Sequence, residues 1–227
     1  MLNVAHALTM VADGMTLGLG SGQAAEAFVA ALGDRVRGGL KVRGVPTSSG
    51  TAALARRVGV PLVELRDALP IDMTFDGADE VDPDLNLLKG FGNALVREKI
   101  VAAASRKVVI LIGPRKVEEK LVPVLGTRGK LPVEVLPFAL PLVERRAIEL
   151  GYPGELVRKP DGEPLVSDNG NLLLHLQVQA ITNPAGLDKA LRDLPGVVGT
   201  GLFLNVADVV LIDDGGKLEI RERSAGG

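Results

Sequence analysis

No cysteine and no tryptophan occur in the 227 residues, aromatic side chains make up 3%, and there are two histidines, His6 and His175. The lack of cysteine excludes a disulfide framework, a zinc ribbon, a thiol nucleophile and a thioredoxin-like motif. Two histidines leave no histidine-rich metal site, and a Ser-His-Asp triad would have to recruit one of them. His6 falls on an amphipathic helical pattern and His175 inside an apolar run, where a hydrogen-bonded structural histidine is the simpler reading. An excess of either charge is missing too, since 26 Lys plus Arg against 28 Asp plus Glu leave a net charge of -2. General binders of nucleic acid or of membrane surfaces are more basic than this. No apolar stretch approaches the roughly 18 residues that span a bilayer, and the N-terminus lacks a basic leader. The expectation is a soluble, unprocessed, cytoplasmic protein with neither a membrane nor a nucleic-acid partner.

Aliphatic residues are plentiful instead, and the 46% hydrophobic content suits a buried core. Apolar residues at helical spacing from Leu2 to Val11 are followed by a short apolar strand, Met15 to Leu19, which runs into Gly18-Leu19-Gly20-Ser21-Gly22. An alanine-rich helix follows from Gln23 to Val36. Strand, glycine loop and helix together form the first unit of an open α/β fold. The unit recurs as a strand at Lys41 to Val45, a polar turn, and a helix from Thr51 to Val58. Further strands are expected at Val60 to Leu65, Ile71 to Phe75 and Lys107 to Ile112, all apolar without alternation, as in a parallel sheet covered on both faces.

Beyond Gly113 prolines become frequent, at 114, 123, 132, 137, 141, 153, 160 and 164, and the elements shorten. Strands are expected at Leu131 to Leu136, Leu172 to Val178 and Val197 to Leu204, with helices at Leu140 to Leu150 and Ala185 to Leu194. Asp208 to Ile212 is again a buried-strand pattern that can rejoin the first sheet. The predicted architecture is therefore α/β: a Rossmann-like doubly wound sheet (1–129 plus 205–227) with an inserted smaller α+β, ferredoxin-like lid domain (130–204).

Ligands of open α/β sheets gather beyond the carboxyl ends of the strands, and three polar clusters fall there. In the first, glycines 18, 20 and 22 let backbone N–H groups approach an anion at a helix N-terminus, although a tight strand-to-helix turn explains them as well. It has neither a Walker A ending nor the dinucleotide fingerprint. The second, Pro46-Thr47-Ser48-Ser49-Gly50-Thr51, offers hydroxyls that equally suit helix capping. The third sets five acids in nine residues, Asp76, Asp79, Glu80, Asp82 and Asp84, without the spacing of a calcium loop. Cations such as Lys89, in Lys89-Gly90-Phe91-Gly92-Asn93, or a polyhydroxyl ligand would relieve their repulsion, and so would plain solvation. Glu98 lies on the next helix, Ala94 to Ala104, sharing a face with Ala94, Val101 and Ala102. A carboxyl group desolvated there would have a pKa raised toward the range of a general base, while pairing with a neighbouring lysine is the alternative.

The runs Asp76-Gly77-Ala78-Asp79-Glu80-Val81-Asp82, Lys89-Gly90-Phe91-Gly92 and Arg97-Glu98-Lys99-Ile100-Val101 resemble the type A ribose-5-phosphate isomerase family. Later runs resemble its C-terminal signatures: Leu131 to Pro137, Ser167-Asp168-Asn169-Gly170-Asn171, and Pro195 to Val198 with Gly201-Leu202-Phe203. The resemblance covers essentially the whole chain. It implies interconversion of ribose 5-phosphate and ribulose 5-phosphate without metal or cofactor, in a homodimer or higher homo-oligomer. Glu98 would move the proton through an enediolate, Asp76 would assist ring opening, and Asp79 and Lys89 would hold hydroxyls and the developing oxyanion. Substrate contacts would come from Ser21, Gly22, Gln23, Ala24, Thr47, Ser48, Gly77, Ala78, Gly90, Phe91, Gly92 and Lys116. Two departures stand out. Gln23 and Ala24 replace hydroxyl residues of the family's phosphate loop, and Phe91 interrupts its glycine run, with Asn93 where a small residue is usual. The rival readings are a sugar-phosphate-sensing or CoA-binding module on the same fold, and a metal-dependent hydrolase using the acidic cluster.

Overall fold

The computed structural model describes residues 1–115 and 117–223. Its elements in chain order begin with α1 (Leu2–Thr9), β1 (Thr16–Leu19), α2 (Gln23–Arg37), β2 (Arg43–Pro46), α3 (Ser49–Val58) and β3 (Met73–Gly77). Then come β4 (Glu80–Val81), β5 (Leu87–Leu88), α4 (Leu95–Ala103), β6 (Val108–Ile112), α5 (Val117–Lys120), β7 (Lys130–Val135), α6 (Leu140–Glu149) and β8 (Gly154–Leu156). The last are β9 (Leu172–Gln177), α7 (Pro184–Arg192), β10 (Val197–Thr200), β11 (Leu202–Phe203), β12 (Val209–Asp213) and β13 (Leu218–Glu222). Two compact units result, one of 1–78, 97–120 and the segment from Asn205 onward, the other of Asp79–Val96 and Leu121–Leu204.

In the first unit six strands are ordered β13-β12-β6-β3-β1-β2, all parallel except the edge strand β13. The continuous apolarity of Val108 to Ile112 reflects burial on both faces: all five residues are buried, as are all five of β12. Along one face Val4 and Ala7 of α1 and Phe28 and Leu32 of α2 pack with Leu17, Phe75, Val109 and Leu211 from four strands. Phe28 and Phe75 stack with ring centroids 4.1 Å apart. Val101 of α4 packs with Val45, Ala68 and Ile71 in a separate cluster. α3 starts on a true cap, the Ser48 hydroxyl accepting from Thr51 N–H at 3.0 Å, and ends on Gly59 with φ 84°.

The second unit contains β7-α6-β8-β9-α7-β10 as an antiparallel sheet of order β10-β7-β9-β8, the ferredoxin-like βαββαβ arrangement that was expected. Its core joins Leu131, Val133 and Val135 of β7 to Leu174 and Leu176 of β9, Val143 and Ala147 of α6, and Leu187 and Leu191 of α7. A three-stranded sheet, β11-β5-β4, completes it. That sheet accounts for a difference from the expected division at residue 130. Residues 79–96 group with the second unit because β5 pairs with β11, and 121–129 do so because Leu121 bridges to Val81 while Glu80 accepts hydrogen bonds from Gly126 and Arg128.

Two strand expectations need correction, and one hairpin was not expected. Val60 to Leu65 forms no strand beyond a bridge from Leu62 to Gly44, since the chain enters a helical turn at Leu65. Val197 to Leu204 is two strands in two sheets, broken at Gly201. The hairpin β4-β5, which begins in the acidic run, has strands of two residues each, too short for periodicity to reveal.

Candidate active site

Within the first unit the glycine loop closes around an aspartate. Gly20 N–H donates to Phe75 O (2.9 Å), and Ser21 N–H and Gly77 N–H both donate to Asp76 Oδ1, at 3.1 and 2.7 Å. A side chain at Gly20 would overlap Asp76 Oδ1 and stand 2.6 Å from Asp76 Cα, so the close approach of these strands requires glycine there. At Gly22 φ is 85°, which turns the chain into α2. The first N–H groups of a helix have no intrahelical acceptor, which leaves the backbone of Gln23 and Ala24 suited to an anion.

Four hydroxyls stand beside this loop. Ser21 Oγ lies 2.8 Å from Thr47 Oγ1 and 3.4 Å from Thr51 Oγ1, and Ser48 Oγ donates to Thr51 Oγ1 at 3.0 Å. Thr47 and Thr51 also donate to the carbonyls of Leu19 (3.1 Å) and Gly20 (2.9 Å). The structure thus links Ser21, Thr47, Ser48, Asp76 and Gly77 in one network. Thr51 belongs to it as well, one of the hydroxyls in the Pro46 to Thr51 run that suited a ligand and helix capping equally. Gln23 is exposed, while Ala24 and Ala78 are buried.

Glu98 of α4 is buried, as are Ala94, Val101 and Ala102, the face that the spacing predicted, and Leu95 is buried as well. Its helix is docked by small residues and hydroxyls. A Cβ on Gly18 would stand 2.6 Å from Val101 Cγ1, and Ser105 Oγ bridges Thr74 Oγ1 (2.6 Å) and the Val101 carbonyl (2.7 Å).

In the second unit Lys89 is 4% exposed, with its ammonium nitrogen 5.5 Å from the centre of the Phe203 ring. Its backbone is fixed by Gly201, whose carbonyl accepts from Lys89 N–H at 2.9 Å and whose own N–H donates to Pro132 O at 2.7 Å. Asp79 Oδ2 accepts from Phe91 N–H at 2.9 Å. Gly90 is buried with φ 108°, packed beside Leu95 and Pro132, and Gly92 is exposed. Lys116 lies outside the described residues.

Backbone amides take up part of the acidic cluster. Glu80 is fully buried and accepts from Gly126 (2.5 Å) and Arg128 (2.7 Å), and Asp82 accepts from the backbone and side chain of Asn86. Glu80, Phe203, Gly201 and Arg128 are the structural partners that motif reading did not single out for a role. Glu80 gave a signal as a member of the acidic run, and Gly201 and Phe203 as members of the Gly201-Leu202-Phe203 signature. His175 also departs from expectation. Its Nε2 is buried without a hydrogen-bond partner among the described residues, and burial together with Lys130 lowers its pKa from the usual 6.5. No group of three or more His, Asp or Glu placed to hold a metal ion occurs among the described residues. Among those residues, no helix is long and apolar enough to cross a membrane.

A doubly wound sheet with hydroxyls and a backbone-gripped aspartate at its strand ends, and a buried glutamate on a helix of the same unit, belongs to the class of α/β ligand-binding enzymes. The particular family follows from comparison with known proteins. The family model for ribose 5-phosphate isomerase A (phosphoriboisomerase A) matches residues 43–216. Ribose-5-phosphate isomerase A of Thermomicrobium roseum is 48% identical over 96% of this chain and 91% of its own. That of Bradyrhizobium diazoefficiens is 47% identical over 96% and 93%. Among solved structures, ribose 5-phosphate isomerase A from Methanocaldococcus jannaschii superposes with a TM-score of 0.90 at 35% identity, covering 97% of this chain and 96% of its own. A D-ribose-5-phosphate isomerase in complex with phospho-erythronic acid gives a TM-score of 0.92 at 32% identity, covering 98% and 96%. The chain belongs to the ribose 5-phosphate isomerase A family.

Proposed function

We propose that this protein interconverts D-ribose 5-phosphate and D-ribulose 5-phosphate. The observation that carries the reading is the 48% identity to a ribose-5-phosphate isomerase A across 96% of the chain. In the open-chain aldose, Glu98 takes the proton from C2, the electron pair forms the C1–C2 double bond of an enediolate, and the proton returns to C1. The O2 proton is lost and O1 gains one, so the aldehyde becomes a hydroxymethyl group and C2 a ketone. Burial of Glu98 on a small-residue face supports its role as base, since desolvation favours proton return.

Asp76 assists ring opening, a role supported by the two amides that fix one of its oxygens. Lys89 and Asp79 stabilise the oxyanion and bind hydroxyls, and the burial of Lys89 strengthens its field on a developing charge. The loop of Ser21, Gly22, Gln23 and Ala24 with Thr47 and Ser48 receives the phosphate. Backbone N–H groups and the hydroxyls of Ser21, Thr47 and Ser48 serve there, which compensates for the missing hydroxyls at 23 and 24. Gly77, Ala78, Gly90, Phe91, Gly92 and Lys116 complete the substrate contacts. Family resemblance also carries the reading of a cytoplasmic homodimer or higher homo-oligomer.

The test is conversion of ribose 5-phosphate in excess EDTA, followed by ketose absorbance, with wild type and Glu98→Gln. Turnover by wild type is expected to persist, and the variant to lose about 10²- to 10⁴-fold in kcat with KM little changed. Ligand-induced stabilisation without turnover would replace the isomerase with a sensing module. A Glu98→Gln enzyme of near-normal kcat would remove Glu98 from its role.

A further inference from the structure

We propose that Arg128 and Phe91 are positioning residues that together hold the Asp79 carboxylate and the 89–92 loop in place for the isomerisation. This rests on the reading of Asp79 as a substrate-binding group. Five contacts close a circuit inside the second unit. The Glu80 carboxylate draws in the 126–128 turn through Gly126 N–H at 2.5 Å and Arg128 N–H at 2.7 Å. The Arg128 side chain returns along the same path, with Nη1 donating to the Asp79 carbonyl at 3.3 Å. Its guanidinium carbon also lies 4.9 Å from the centre of the Phe91 ring. Phe91 N–H then donates to Asp79 Oδ2 at 2.9 Å. One arginine therefore touches the backbone of Asp79 and the ring of the residue whose amide holds the carboxylate of Asp79.

A second cation reinforces the ring, because Lys130 Nζ lies 4.2 Å from the same centroid. The ring is partly buried against the core of the unit, so it is held from several sides. Phe91 sits in a loop where Gly90 and Gly92 flank it and Asn93 adopts φ 68°, a backbone with little stiffness of its own. A cation-gripped aromatic side chain supplies what those glycines remove. Asp79, two residues beyond the end of β3, gains from the clasp a fixed direction for one carboxylate oxygen.

Two readouts test this, one independent of activity. Arg128→Ala and Phe91→Leu are each expected to speed hydrogen exchange of the residue-91 amide about tenfold or more, measured by NMR. Arg128→Ala is also expected to lower kcat about tenfold while KM moves less than about threefold, as for a misplaced group, and Phe91→Leu to lower kcat as much with a larger rise in KM, since Phe91 is itself read as a substrate contact. The double variant should lose little more than either single one, because both cut the same clasp. Phe91→Tyr, which keeps the ring, and Arg128→Lys, which keeps the charge, should recover most of kcat and guard against simple misfolding. Unchanged amide exchange in both single variants would overturn the clasp. Faster exchange with normal kcat, in an enzyme that Asp79→Asn inactivates, would overturn its positioning role. Full activity of Asp79→Asn would instead overturn the reading of Asp79 on which that role stands.

Discussion

Replacing Gly201 by alanine adds one methyl group where the second unit has no room. That methyl would overlap the Lys89 carbonyl oxygen and stand 3.0 Å from Pro132 Cδ and 3.3 Å from Pro132 O. Two of the three neighbours are backbone atoms, so rotating a side chain gives no relief. Reaching van der Waals separation requires the Lys89 peptide to move by about 1 Å. Overpacking of this kind costs about 1–3 kcal/mol. The two hydrogen bonds that Gly201 makes, to Lys89 N–H and Pro132 O, add about 0.5–1.5 kcal/mol each if they break. A total of about 2–6 kcal/mol corresponds to a fall in Tm of about 4–24 °C for a chain of this size. A shift of Lys89 by about 1 Å is expected to lower kcat by about 10²-fold. Thermal unfolding by circular dichroism and ketose absorbance under saturating substrate measure the two effects. Gly199→Ala is the matched control: its methyl would meet the Val96 side chain at 3.1 Å, and rotation of that side chain relieves it. A Gly201→Ala protein with Tm within a degree or two of wild type and kcat within twofold would refute the reasoning.

Other perturbations have equally defined outcomes. Thr51→Val keeps the shape but removes the hydroxyl shared by Gly20 O, Ser48 and Ser21, and should cost about 1–3 kcal/mol in denaturant unfolding while raising KM for the sugar phosphate. Asn171→Ala takes one of three donors (the others are Ser167 and Asn169) from the fully buried Glu134, and a loss of about 1–3 kcal/mol is expected by the same assay. Because the folded-state pKa of His175 lies below 6.5, the unfolded chain takes up a proton first as pH falls. His175 therefore supports stability that is present above about pH 6.5 and is lost as pH falls from there toward its folded pKa. Urea midpoints between pH 8 and 5 should drop less in His175→Gln than in wild type, and parallel curves would refute this.

Much of the first sheet was legible because its strands carry the plainest signal, continuous apolar runs such as Val108 to Ile112. The face of Glu98 was legible for a similar reason, since helical spacing alone groups it with Val101 and Ala102. Long-range placement was not legible. Nothing local in Val197 to Leu204 announces that the chain leaves one sheet for another at Gly201, where the cause is a lysine carbonyl more than a hundred positions earlier. The acidic run misled in a related way. Counting carboxylates suggested cations or ligand as their partners, whereas Glu80 is satisfied by amides of a turn at 126–128 that has no distinctive composition. Arg128 escaped notice because an arginine in Gly126-Thr127-Arg128-Gly129 reads as an exposed turn, and its contacts with Asp79 and Phe91 exist only in three dimensions.

The pairing of β6 with β12 joins residues about a hundred positions apart, Val109 opposite Val209, across the whole ferredoxin-like insertion. Thermodynamically the detour costs little, since each doubling of a closed loop adds only about 0.6 kcal/mol. During synthesis it costs time. Until the segment from Asn205 onward emerges, β6 is a sheet edge with five apolar residues and an unpaired ladder, the kind of edge along which chains aggregate. The start of α1 gains its last partner only then, because Leu2 N–H donates to Asp213 in β12. Nascent or truncated chains that end before Asn205 should therefore be the aggregation-prone species of this protein, and the final strand pair acts as the step that makes the sheet safe.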